Sequence, residues 1–89
     1  MIESRKMLFL ICNDEETGRE DARKMGCTQI AAWRFAHPDN HDLFVKRRFS
    51  DLPPGTPLSL MRGSDYAENP EKERFDAFVE AGHGVWVDG

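Results

Sequence analysis

Apolar positions along this chain fall in two rhythms, and each change of rhythm marks an element. Met7 to Cys12 are apolar without a break, with Arg5-Lys6 before them and Asn13-Asp14-Glu15-Glu16 after. A short unbroken run suits a central strand covered on both faces. Over 15–25 the pattern turns polar, and Gly18, Ala22 and Met25 recur four and three apart. That is the thin stripe of a helix, weakened by Gly18, and Gly26 stands where a left-handed C-cap would end it.

Residues 28–36 alternate, with Ala31, Trp33 and Phe35 against Ala32, Arg34 and Ala36. They read as a strand, with a helix as the rival because Ala, Gln and Arg tolerate one. His37-Pro-Asp-Asn-His-Asp42 is turn chemistry. From Leu43 to Phe49 alternation returns, with Leu43, Val45 and Phe49 on one face and Phe44, Lys46 and Arg48 on the other. The span 28–49 therefore predicts an antiparallel hairpin. Pro53, Pro54 and Pro57 make a rigid link that forbids a central strand. Leu58 to Arg62 predicts a further strand.

The last third predicts a helix and a closing strand. Asn69 suits an N-cap, Pro70 a first helical residue, and Glu71 the positive end of the helix dipole. Phe75, Phe78 and Val79 then fall at i, i+3 and i+4, Gly82 ends the helix, and Val85-Trp86-Val87 closes the chain. The expected order is β-α-β-β-β-α-β. It points to an α/β fold, an α+β sandwich: one mixed sheet of about five strands with both helices on one face, a ferredoxin-like variant. The 89 residues predict one domain, 1–89.

Charge refines this picture. The net charge is −4, but residues 31–62 hold five bases and three acids, whereas residues 63–89 hold seven acids and two bases. An acidic average argues against general coating of nucleic acid and leaves room for a local basic strip. The apolar run at 7–12 is too short for a secretory or membrane segment. Two cysteines make no disulfide framework, and a cytoplasmic protein with reduced thiols is expected, with no membrane contact.

Candidate chemistry is sparse. If the strands ending at Cys12 and Arg62 are parallel neighbours, Asn13, Asp14, Ser64, Asp65 and Tyr66 gather at their carboxyl ends, where open α/β sheets bind ligands. Gly63 would allow close backbone approach, and Asp14 with Asp65 could share a proton or a metal ion. The loop is neither a Walker A nor a dinucleotide fingerprint. His37 and His41 lack further ligands in sequence, so no metal site and no cofactor are expected. Cys12 ends a buried run and Cys27 follows a helix C-terminus, neither of which activates a thiol. His83 suits the end of the second helix as a favourable cation.

Three functional readings result. The leading one is a small non-catalytic regulatory module that binds a protein through an acidic helix surface, Glu68, Glu71, Glu73 and Glu80. Small acidic proteins of this kind include inhibitors that phages and mobile elements make against host proteins, and such an inhibitor is one form the module could take. The second is a ligand- or metal-binding, hydrolase-like domain using Asn13, Asp14, Ser64, Asp65 and Tyr66. The third is single-stranded nucleic-acid binding through Arg34, Lys46 and Arg48 of the 28–49 hairpin, with Phe44 between them.

Overall fold

The computed structural model describes residues 6–39, 41–55 and 57–87. In chain order the elements are β1 (Lys6–Ile11), α1 (Glu15–Lys24), β2 (Thr28–Ala31), β3 (Arg34–His37), β4 (His41–Lys46), β5 (Leu58–Arg62), α2 (Lys72–Glu80) and β6 (Gly84–Trp86). Short 3-10 turns at Phe49–Asp51 and Tyr66–Glu68 precede β5 and α2 respectively. The strands form one mixed sheet in the order β2-β3-β4-β1-β5-β6. β4, β1, β5 and β6 pair in parallel, and β2, β3 and β4 pair antiparallel.

The expected class, a single mixed sheet with two helices, is what the chain adopts. The unbroken run 7–12 predicts a central strand, and β1 lies between β4 and β5 with both faces covered. Its even residues Leu8 and Leu10, with Cys12, pack with Ala22 of α1 and with Leu43 and Val45. Its odd residues Phe9 and Ile11 pack with Leu60, Tyr66 and Phe75 of α2. The sheet is thus the partition between two cores. Both helices end as their sequence predicts. Gly26 and Gly82 take left-handed φ of 79° and 89°, which a side chain would disfavour.

Four details correct the sequence reading. The strand count is six, because 28–36 is neither one strand nor a helix: it turns at Ala32-Trp33 and pairs with itself as β2 and β3. The helices lie on opposite faces, not on one, so the ferredoxin-like arrangement does not hold. The reason is directional. The β1-to-β2 crossover travels one way along the sheet and the β5-to-β6 crossover the other, and right-handed crossovers in opposite directions must use opposite faces. Phe49 leaves the face of Leu43 and Val45, because β4 stops at Lys46 and the next turn delivers Phe49 to the α2 core, edge-on to Phe75 at 5.4 Å. Finally, α2 begins at Lys72 with Glu71 as N-cap, two residues later than Asn69 and Pro70 suggest.

Candidate functional site

β1 and β5 do end side by side and parallel, with Ile11 opposite Arg62. Their chains then leave for opposite faces, β1 to α1 and β5 to α2. Such a switch in direction opens a crevice at the carboxyl ends of the strands. The sheet brings Asn13, Asp14, Ser64 and Asp65 together there, as expected. Their polar groups, however, are turned on one another.

Asp65 accepts the Asn13 main-chain N–H on Oδ1 at 2.9 Å and the Asp14 N–H on Oδ2 at 2.8 Å. Its carboxylate therefore lies where an anionic ligand would approach the start of α1. Asp14 accepts weakly from the Glu16 N–H at 3.4 Å as the N-cap of that helix. From the other direction Asp21 of α1 accepts the Ser64 N–H at 2.8 Å and the Ser64 hydroxyl at 3.0 Å. The Gly63 N–H donates to the Ile11 carbonyl at 2.7 Å. Asp14 and Asp65 thus hold backbone rather than a shared proton. Among the described residues no group of three or more His, Cys, Asp and Glu side chains could hold a metal ion.

Asn69 completes the staple. Buried, it donates from Nδ2 to the Cys12 and Arg47 carbonyls, both at 3.1 Å, and accepts the Glu71 N–H at 2.8 Å. One carboxamide joins the ends of β1 and β4 to the start of α2. Sequence reasoning placed Asn69 locally, as a cap, and missed Asp21 altogether. Their partners lie tens of residues away, so no local pattern signals them.

Tyr66 turns away from this cluster toward α2. Its phenol, buried, donates to Asp76 Oδ1 at 2.7 Å, and Lys72 Nζ meets Asp76 Oδ2 at 3.0 Å. Burial pushes the phenol well above its ordinary range, and the Asp76 carboxylate adds to this. The Tyr66 hydrogen bond, with help from Lys72, holds Asp76 below the usual aspartate value. Trp86 lies edge-on to Tyr66 at 5.0 Å, and the Arg62 guanidinium covers the indole at 4.2 Å. A hollow of about 610 Å³ opens beside these groups.

Neither thiol is activated. Cys12 is fully buried, and burial, reinforced by Asp65 and Asp21, pushes its thiol up to about 12. Burial raises Cys27 as well. Both cysteines are unpaired. His37 and His41 face each other across the β3–β4 hairpin with rings 5.6 Å apart, and His37 Nδ1 accepts the Asp39 N–H at 3.0 Å.

The acidic residues divide. Glu71 ties α2 to the preceding turn by accepting the Phe49 N–H at 2.7 Å, with Arg74 3.5 Å from its other oxygen. Glu68, Glu73 and Glu80 are exposed and make no ion pair among the described residues.

The basic residues divide too. Arg34 and Lys46 share a sheet face and flank Phe44 at 5.6 and 5.9 Å, as the alternation predicts, and Arg34 pairs with Asp42 at 3.3 Å. Arg48 does not join them, because it lies beyond the end of β4. There, with Lys46, Arg47 and Trp33, it lines a separate hollow of about 390 Å³. Arg47 and Trp33 escaped the sequence reading. The run Lys46-Arg47-Arg48 and an indole next to a turn were the available signals.

Among the described residues no helix is long and apolar enough to cross a membrane. The chain matches no protein-family model, no curated protein and no solved structure.

Proposed function

We propose that this protein is a non-catalytic module of the reducing cytoplasm that acts by binding a protein partner, with Glu68, Glu73 and Glu80 forming the acidic contact surface. The observation that carries this reading is the Asp65 carboxylate bridging the Asn13 and Asp14 N–H groups. It occupies main-chain donors at the strand ends, where a hydrolase of this architecture would bind substrate. The groups that could do chemistry nearby are quiet: Cys12 and Tyr66 are held protonated, and the Asp21 carboxylate that accepts the Ser64 hydroxyl also holds the Ser64 N–H. Three exposed, unneutralised carboxylates on and beside α2 suit a basic partner surface, which clustered like charge steers into contact. Glu71 is left out of this surface because its carboxylate supports the fold.

The test uses the full chain as bait, alongside a variant with Glu68, Glu73 and Glu80 all changed to Lys. The proposal expects one stoichiometric protein captured by the native chain, lost by the variant, and an unchanged melting temperature. Equal capture by both would remove the acidic surface from consideration. A rise in melting temperature with a nucleotide, sugar, phosphate or divalent ion, abolished by Asp65→Ala, would favour the ligand-binding reading instead.

A further inference from the structure

We propose that the tip of the β2–β3 hairpin and the end of β4 form a site for a phosphate-bearing aromatic ligand, a nucleotide either free or within a single strand. This goes beyond the protein-binding reading and uses a different part of the surface.

The first observation is Trp33. It is the second residue of the Ala32-Trp33 turn, a position usually given to small or flexible residues. Its side chain belongs to neither hydrophobic core and is 37% exposed. Its carbonyl accepts the Val45 N–H at 3.0 Å, which fixes the turn against β4. An indole anchored by its backbone yet left out of the core is a stacking platform.

The second observation is the charge around the hollow that Trp33 lines. Lys46, Arg47 and Arg48 follow one another along its wall. Arg47 is aimed by its own contacts, with Nε donating to the Asn13 carbonyl at 3.1 Å and Nη1 lying 4.0 Å from Glu15. Lys46 and Arg48 make no ion pair among the described residues, and Asp51 is the one other acid on the wall. Adjacent like charges repel, and a phosphate accepting from two guanidinium groups relieves that repulsion. The hollow, about 390 Å³, is the size of a small-molecule site, which runs roughly 300–1,000 Å³.

The Arg34–Phe44–Lys46 strip is the poorer platform. Phe44 is stacked on Phe9 at 5.6 Å and Arg34 is engaged by Asp42. The site therefore centres on Trp33 and Arg48 rather than on Arg34.

The experiment measures binding to the full chain by isothermal titration calorimetry, with tryptophan fluorescence of the native protein alongside, during titration with AMP, inorganic phosphate and a ten-nucleotide oligouridylate. AMP or the oligonucleotide is expected to quench the emission. Trp33→Ala should weaken binding roughly tenfold through lost stacking. Arg48→Ala should also weaken it, and Asp51→Asn should tighten it. For the oligonucleotide, two to three phosphate contacts should weaken binding roughly tenfold between 50 and 200 mM salt. AMP binding as tightly as the oligonucleotide assigns the site to a free nucleotide, and an oligonucleotide preference of tenfold or more assigns it to a single strand. The proposal is overturned if neither quenches at millimolar concentration. It is also overturned if Trp33→Ala binds like the native chain, or if phosphate competes as well as AMP, since either result leaves only a basic patch. Circular dichroism of each variant verifies that it is folded.

Discussion

Gly63 and Ile11 stand as close as two neighbouring strands allow. The Gly63 N–H donates to the Ile11 carbonyl at 2.7 Å, and a methyl group on Gly63 would lie 2.8 Å from that same oxygen and 3.0 Å from Cys12 Cβ. The contact joins the two strand ends where β1 and β5 part. Gly63→Ala should therefore push the two strand ends apart and cost about 1–3 kcal/mol, as overpacking generally does. Urea denaturation measures the loss. An unchanged midpoint would show that the strand ends have room to spare.

Asp65 should matter through two backbone partners at once. Asp65→Ala strips acceptors from the Asn13 and Asp14 N–H groups and should cost about 2–4 kcal/mol, because bonds to a charged acceptor are worth more than neutral ones. Hydrogen exchange at these two amides should accelerate well beyond the change at Leu10. Asp65→Asn keeps one acceptor oxygen and should recover part of the loss. Equal exchange in all three proteins would mean that the carboxylate does not hold the loop.

Tyr66 and Asp76 set the pH limits of their end of α2. Asp76 is held below its ordinary value of 3.8, so its contribution is present above that value and is lost as pH falls through the lower folded one. Tyr66 is raised above its ordinary 10.0, so its contribution is present below pH 10 and is lost as pH rises through the higher folded value. Partial exposure of Asp76 keeps the acid effect small. Urea midpoints of the native chain should therefore decline at both extremes. Tyr66→Phe should flatten the alkaline decline and weaken the acid one.

Cys12 should be silent in the folded protein. Its thiol is buried and titrates near 12, so almost no thiolate exists at pH 8. With Cys27→Ala, a thiol reagent should label the chain only as fast as β1 opens, and immediately in denaturant. Labelling within seconds under native conditions would contradict the burial of Cys12.

Much of the fold was legible because local spacing carries it. The continuous run Met7–Cys12, the Gly26 and Gly82 stops and the Phe75-Phe78-Val79 stripe each report an element through residues only a few positions apart. The hairpin within 28–36 was not legible, because Ala32-Trp33 lacks the usual turn residues. The candidate site was half legible. The parallel neighbours β1 and β5 gather Asn13, Asp14, Ser64 and Asp65 as their positions suggest. That Asp65 is already occupied was hidden, since its partners lie 51 and 52 residues away.

By itself the sequence determined both helices, the strands outside 28–36, the uneven spread of charge and the two apolar faces of β1, because side-chain period and capping act over a turn or less. Only the tertiary structure decided which face each helix covers and whether the polar groups at the strand ends are free. Helix placement follows from the direction in which each crossover travels along the sheet, a property of strand order and not of any segment. The engagement of Asp65, Asp21 and Asn69 follows from which distant N–H and C=O groups the assembled sheet leaves within hydrogen-bond reach.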